Sequence, residues 1–284
     1  MKISTSSPYF SLCLILISMT SIQCSACLAK TIFPIIGAAG TTALRIIAAA
    51  IILILVGRPW RKRFSVQTWK ATILYGLSIG CMNLCFYTAI SLLPLGVAVG
   101  LEITGPLTVA LVSSRKLTDF IWIALAVTGL YILLPLRVDD TIDPAGAAYA
   151  LGAATCWGLY ILFGKKMGTT GGDVAAVAMG MLIGSCVVFP VGLASAGPSM
   201  FAPGILPYGI LLGIFSSALP YGLEIYALKN LPTHTFGVLE SLNPALASFT
   251  AFLFLQEVLT PGQWLALGCI TVATIGVTIC SRRT

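Results

Sequence analysis

The chain has 284 residues, of which 58% are hydrophobic and only 9% are charged. A soluble domain carries roughly 25% charged residues, and a fold of this length could not bury so much apolar surface away from water. The composition therefore indicates an integral membrane protein, whose solvent is the lipid bilayer. The net charge of +7 does not indicate a nucleic-acid partner, because the basic residues form no RNA-reading motif and no patch interleaved with aromatic residues.

Apolar segments long enough to cross a bilayer as α-helices recur along the chain, separated by Gly, Pro or charged residues. In chain order the predicted membrane spans are 9–29, 40–57, 70–92, 95–112, 119–136, 145–164, 173–195, 205–227, 232–254 and 260–280. The first span has an alternative interpretation as a signal peptide or a lipobox ending at Cys27. We favour a retained helix, because a repeat of five spans plus five spans requires it.

The basic residues predict the orientation, because cytoplasmic loops are enriched in Lys and Arg. With the N-terminus in the cytoplasm, the cytoplasmic side holds thirteen basic residues, whereas the outer loops hold only Lys30 and Arg137. Ten spans then place both termini in the cytoplasm. The predicted fold class is an all-α integral membrane protein with ten transmembrane helices.

The two halves of the chain resemble each other. The stretches LPLGVAVGLEITGPLTVA (93–110) and LPTHTFGVLESLNPALAS (231–248) share Leu-Pro, Leu-Glu and a later Pro at an offset of 138 residues. Each half holds five spans, an odd number, so the two halves must lie in opposite orientations, as in many secondary transporters. The predicted domains are two inverted five-helix repeats, 9–136 and 145–280, with a substrate site between them.

Each half carries a glutamate within a span, Glu102 in the first and Glu240 in the second. Each lies eight residues beyond the proline at the start of its span, so it is about 12 Å into a core of about 30 Å. A carboxylate at that depth is costly, so it should face a cavity or be protonated. Pro106 and Pro244 remove the hydrogen bonds that would reach the two glutamate carbonyls, which predicts a polar or cation site in each half. A purely structural pairing of the acids is the alternative.

Further polar residues are candidates for a pathway through the protein. Arg45 lies about five residues into the second span, where an ion pair or a contact with a substrate carboxylate competes with snorkelling to the headgroups. Glu224 lies three residues from the end of its span and is interpreted as interfacial, with a pathway role as the alternative. The residues that could line a cavity, with packing or anchoring as the alternative, are Asn83, Tyr87, Trp157, Tyr160 and Tyr221.

Enzymatic and scaffold functions are disfavoured. Intramembrane proteases and metal-dependent transferases need HExxH, GxGD or clustered His and Asp, and one histidine with nine scattered acids supplies none of these. No His or acidic residue lies near the paired cysteines Cys24/Cys27 or Cys81/Cys85, so we expect no metal and no cofactor. Duplicated acids within the membrane are not expected of a receptor or scaffold.

Several long stretches resemble a known family. They are SIQCSACLAKTIFP (21–34), TALRI (42–46), GCMNLCFY (80–87), PLGVAVGLEITGPLTVAL (94–111), SALPYGLEIYAL (217–228) and LPTHTFG (231–237). In this order they resemble the drug/metabolite transporter superfamily with paired EamA-type domains, and within it the bacterial threonine and homoserine exporters. The resemblance covers about residues 15–280.

The resemblance implies a multi-pass protein of the bacterial inner membrane that exports small neutral amino acids in exchange for protons. An exporter of drugs or of other small metabolites is the alternative. The positions at which the exporter motifs carry the same residue types are Arg45, Asn83, Glu102 and Glu224. In the family, the acid of the second half directly precedes a proline. In this chain the residue before Pro244 is Asn243, and the acid Glu240 lies one helical turn away on the same face.

Overall fold

The computed structural model describes residues 8–30, 32–92, 95–113, 117–133, 143–231, 236, 239, 242–255, 261–262, 264–265, 268–269 and 271–273. Within these residues the chain is helical and forms no strand. The predicted all-α class is therefore confirmed. Glu240 lies outside the described residues, and the last predicted span, 260–280, is described only at isolated helical positions.

The helices in chain order are α1 Pro8–Lys30, α2 Phe33–Gly57, α3 Val66–Leu92, α4 Leu95–Glu102, α5 Thr104–Ser113, α6 Leu117–Leu133, α7 Pro144–Thr169, α8 Val174–Ala196, α9 Leu206–Gly213, α10 Leu219–Asn230 and α11 Asn243–Leu255. A π-helical turn, Ile214–Ala218, joins α9 to α10, and single 3-10 turns follow α2 and α8.

Five helical segments of the described chain are long and apolar enough to cross a membrane, Phe33–Arg61, Val66–Leu92, Pro144–Thr169, Val174–Phe201 and Leu206–Ala227. Shorter apolar helices run over Phe10–Ala26, Phe120–Gly129 and Ala245–Phe254. Large apolar side chains also cover the outside of the bundle, where Leu55 and Val56 are more than half exposed. Lipid, rather than water, is the solvent that suits such a surface.

The predicted span 95–112 is divided in the structure at Ile103, between α4 and α5. Pro106 explains the break, because a proline in the first turn of α5 cannot donate the hydrogen bond that would reach the carbonyl of Glu102. At the same break, the Thr104 hydroxyl donates to the neighbouring carbonyl of Leu101 at 2.6 Å. The break places the carboxyl-bearing residue Glu102 at the very end of α4.

Two other spans depart from regular helices for similar reasons. Helix α2 begins at Phe33 rather than at the predicted residue 40, and Gly37 interrupts it with a φ of 69°, a left-handed value that favours glycine. In the predicted span 205–227, Pro220 cannot donate to the carbonyl of Ser216, and the chain there widens into the π-helical turn. This turn brings Ser216 inside the bundle, where it is buried.

Glycine contacts bring the central helices together. Where α3 crosses α8, a Cβ atom on Gly76 would lie 2.3 Å from the carbonyl oxygen of Gly180, and one on Gly80 would lie 3.0 Å from that of Gly184. Small residues at such crossings let helix backbones approach closely in membranes. Helix α2 also packs along α8, α3 along α7, α1 along α10 and α11 along α1, so a cavity forms in the middle of the bundle.

Candidate functional site

A cavity of about 230 Å³ lies between α1, α2, α3, α4, α7, α10 and α11. Its volume falls below the ~300–1,000 Å³ of pockets that hold drug-sized molecules, so it suits a smaller ligand. The candidates named from the sequence that line the cavity are Arg45, Asn83, Tyr87, Glu102, Trp157, Tyr160, Tyr221 and Glu224. The structure therefore brings candidates from both halves of the sequence to one place.

Arg45 is buried in the middle of α2, with 4% of its surface exposed. Its guanidinium donates hydrogen bonds to the Ser216 hydroxyl and to the side-chain oxygen of Asn83, and its Cζ lies 4.8 Å from the centre of the Tyr87 ring. The interpretation of Arg45 as a side chain that snorkels to the headgroups is therefore wrong. The cation is instead held inside the bundle by neutral groups and a π-face.

The Arg45 guanidinium retains binding capacity. Its Nη1 and Nη2 each make one hydrogen bond with a described side chain and carry two hydrogens, so each keeps a second N–H. Arg45 forms no ion pair with any of the described residues. An arginine presents five N–H donors in a fixed fork, which suits a carboxylate. Arg45 can therefore accept an anionic group from a ligand in the cavity.

Asn83 holds the arginine in place from α3. Its side-chain oxygen accepts from Arg45, while its Nδ2 donates to the Ile79 carbonyl at 2.8 Å and to the Tyr221 hydroxyl at 3.2 Å. With both ends of the amide engaged, Asn83 has a fixed orientation. Its role in the site is thus to position Arg45 and to tie α3 to α10.

Glu102 ends α4 at the cavity and is 8% exposed. Its carboxyl group receives no hydrogen bond and forms no ion pair with any of the described residues. Arg45 attracts it electrostatically but is not within salt-bridge distance. A buried carboxyl without a partner is energetically costly, so this group is suited to receive a cation or a proton.

Glu224 lies deeper in the protein than the sequence indicated. It is 3% exposed and accepts hydrogen bonds from the Ser18 hydroxyl at 2.5 Å and from the Tyr160 hydroxyl. The interpretation of Glu224 as interfacial is wrong, because α10 continues to Asn230 and packs this face against α1 and α7. The two acids of the cavity thus differ: Glu224 has two hydroxyl donors, and Glu102 has no donor among the described residues.

Two cavity residues, Gln23 and Asn243, were not among the predicted site residues. Gln23 on α1 donates from Nε2 to both the backbone oxygen and the side-chain oxygen of Asn243, at 3.2 and 3.1 Å. Asn243 begins α11, at the position where the resemblance expects an acid. A glutamine inside a predicted apolar span was the signal in the sequence that could have identified this pair.

The fold and the cavity define a multi-pass α-helical membrane protein with charged and amide groups buried around a small central site. A model of the EamA-like transporter family matches residues 144–279. The chain is 48% identical over 271 residues to the threonine/homoserine exporter RhtA of Escherichia coli strain K12, covering 95% of this chain and 92% of that one. The chain therefore belongs to the EamA-like transporter family, as the motifs predicted.

Other comparisons agree with this assignment. The threonine/homoserine exporter RhtA of Salmonella typhimurium strain LT2 is 50% identical over 270 residues, covering 95% of this chain and 91% of the relative. A crystal structure that is 18% identical superposes with a TM-score of 0.77, covering 95% of this chain and 98% of its own. At that identity, the superposition shows a shared fold alone.

Proposed function

We propose that this protein exports small neutral amino acids of the threonine and homoserine type across the bacterial inner membrane. The observation that carries the proposal is a buried guanidinium and a buried carboxyl that line one small cavity without forming an ion pair. A zwitterionic amino acid carries a carboxylate that matches the guanidinium and an ammonium group that matches the carboxyl. The relatives named as threonine/homoserine exporters indicate the substrate class, and the cavity volume disfavours the alternative of drug-sized cargo.

In the proposed binding mode, Arg45 holds the carboxylate of the amino acid and Glu102 receives its ammonium group. Arg45 suits the first role because its charge is met only by neutral groups among the described residues. Glu102 suits the second because its carboxyl group has no partner among them. The small volume keeps both contacts within reach of one ligand.

The proposed energy source is proton exchange at Glu102. A carboxyl group enclosed by protein and lipid is more stable when neutral, whereas an ammonium group beside it favours the charged form. Arrival of the amino acid would then expel the proton, so the two ligands cannot occupy the group together. This competition couples the inward movement of protons to the outward movement of substrate.

The proposed topology is two inverted five-helix repeats, 9–136 and 145–280, with both termini in the cytoplasm. In these repeats α1, α2 and α3 of the first half correspond to α7, α8 and the segment α9–α10 of the second half. Helix packing supports this correspondence, because exchanging equivalent helices converts the contact of α3 with α7 into the contact of α10 with α1, and both contacts are observed. The contact of α3 with α8 likewise converts into that of α9 with α2. The pair α2 and α8 converts into itself, as expected of helices beside a pseudo-twofold axis.

A single hydrogen bond supports the same symmetry. Asn83 and Tyr221, which bond at 3.2 Å, are separated by 138 residues, the offset that also relates Glu102 to Glu240. Equivalent residues of two repeats can touch each other only near the axis that relates the repeats. The bond therefore supports an axis that passes beside the cavity.

The test of the substrate is efflux from loaded cells. Cells that express the protein should lose radiolabelled threonine and homoserine faster than cells without it, and should grow at higher concentrations of either amino acid. A protonophore should abolish the difference if protons drive export. Efflux of bulky cationic drugs without efflux of either amino acid would contradict the proposed substrate but leave the fold unaffected.

The test of the topology uses reporter fusions. A reporter that is active only in the cytoplasm should be active when fused at the C-terminus or after Lys165. A reporter that is active only outside the cytoplasm should be active when fused after Asp140. The split of basic residues between the two sides motivates this expectation. A C-terminus found outside would rule out two inverted repeats of five helices each.

A further inference from the structure

The pair Gln23 and Asn243 has an orientation that the structure determines. The Nε2 of Gln23 lies 3.2 Å from the backbone oxygen of Asn243, and a backbone carbonyl can only accept a hydrogen bond. The nitrogen of the Gln23 amide must therefore face Asn243, and its oxygen must face away. That oxygen, Oε1, accepts no hydrogen bond from the described residues, and Gln23 lines the cavity.

Several other polar groups of the cavity already have partners among the described residues. Asn83 and Ser216 are engaged by Arg45, and Glu224 is engaged by Ser18 and Tyr160. In the proposed binding mode, the two charged groups of the amino acid are taken by Arg45 and Glu102. The Tyr87 hydroxyl and the Trp157 indole also line the cavity, but the Tyr87 ring faces the Arg45 guanidinium and an indole N–H can only donate. The amide oxygen of Gln23 is a neutral acceptor that is available to the side chain of the substrate.

We propose that Gln23 recognises the side-chain hydroxyl of the exported amino acid through its amide oxygen, and that Asn243 positions Gln23 for this contact. The inference rests on the proposed export of threonine and homoserine, and deepens it by naming the group that selects for a hydroxyl.

The chemistry of the pair favours a hydroxyl over a charged or an apolar side chain. A neutral amide oxygen accepts the hydrogen of a hydroxyl, but it offers no countercharge to an acidic or basic side chain. An apolar side chain of the same size would cover this oxygen and leave it without a partner. Sites that are built to bond a hydroxyl discriminate strongly against an analogue that lacks it, because their polar groups are then left unpaired.

The experiment compares threonine with valine, in which a methyl group replaces the hydroxyl at nearly the same size. Efflux of each amino acid is measured from loaded cells for the wild-type protein and for Gln23→Met, a side chain of similar length without an amide. The wild type should prefer threonine. In Gln23→Met we expect the ratio of threonine to valine efflux to fall about tenfold, the equivalent of one lost hydrogen bond, chiefly through slower threonine efflux.

Matched variants separate recognition from structural support. Ile17→Met changes an exposed residue of the same helix, α1, outside the cavity and should leave the ratio unchanged. Asn243→Leu, which removes one of the two acceptors that orient Gln23, should lower the ratio by less than Gln23→Met. A loss of threonine and valine efflux in equal proportion would show that the pair only joins α1 to α11, and would overturn the inference.

The wild-type protein provides a check that needs no variant. If it exports threonine and valine equally well, no group in the cavity selects for the hydroxyl, and the inference is wrong although the proposed function stands. If it exports neither amino acid, the proposed function fails and the inference fails with it. Should Gln23→Met be absent from the membrane, the ratio is compared in Asn243→Leu, and an unchanged ratio there overturns the inference.

Discussion

Glu102→Gln is expected to abolish efflux of threonine against its concentration gradient. Glutamine keeps the shape of the side chain at the end of α4 but can neither release a proton nor carry a negative charge. Without either property, the proton and the ammonium group of the substrate no longer compete for one site, so the proton gradient cannot drive export. The measurement is radiolabelled efflux from loaded cells with an imposed pH difference, alongside the amount of protein in the membrane.

The specificity of this result is checked with the other acids. Glu240→Gln should have a milder effect if Glu240 has only a structural role. Glu102→Gln should be present in the membrane at wild-type levels, because the Glu102 carboxyl makes no hydrogen bond with the described residues that the change could break. If Glu102→Gln still concentrates threonine outside the cell, the coupling group lies elsewhere, and Glu224 and Glu240 are the next positions to test.

Arg45→Gln is expected to weaken the apparent affinity for the exported amino acid by about 10- to 100-fold, because hydrogen bonds to charged groups contribute about 1.5–3 kcal/mol. Arg45→Lys should recover only part of the loss, since an ammonium group keeps the charge but lacks the planar fork that holds a carboxylate. The measurement is the substrate concentration at half-maximal efflux. Both variants also disturb the bonds with Asn83 and Ser216, so membrane levels must be compared.

An analogue isolates the role of Arg45 in binding the carboxylate. The amino alcohol that corresponds to threonine keeps the ammonium group and the hydroxyl but lacks the carboxylate. The wild-type protein should strongly prefer threonine over this analogue, and Arg45→Gln should lose most of that preference. An unchanged preference in Arg45→Gln would show that Arg45 serves only to hold Asn83 and Ser216 in place.

Much of the fold follows from local properties of the sequence. Mean hydropathy over a segment depends only on that segment, and it predicted the helical stretches closely, as for α3 at Val66–Leu92 against the predicted 70–92. The break after Glu102 was also predictable, because Pro106 acts on a carbonyl four residues away. The late predicted start of α2 arose because Gly37 interrupts the helix within an apolar segment.

The site itself depends on contacts that no local pattern encodes. Arg45 bonds to Ser216, 171 residues away, and Ser216 faces inward because the chain forms a π-helical turn before Pro220. Counting residues from the end of a span placed Glu224 at the membrane surface, since the count could not include the continuation of α10. Gln23 was missed because its partner, Asn243, belongs to the other half of the chain.

The hydrogen bond between Asn83 and Tyr221 has a consequence for the resting protein. In a strictly symmetric pair of inverted repeats, a twofold rotation would convert the inward-open state into the outward-open state, and the two would be equally populated. In the proposed repeats an amide occupies one of the two equivalent positions and a phenol the other, and by the same offset Glu224 corresponds to Phe86. The proposed topology therefore predicts that the two open states differ in free energy, and a difference of about 1.4 kcal/mol gives a tenfold bias. We therefore expect the empty transporter to populate one of its two open states more than the other.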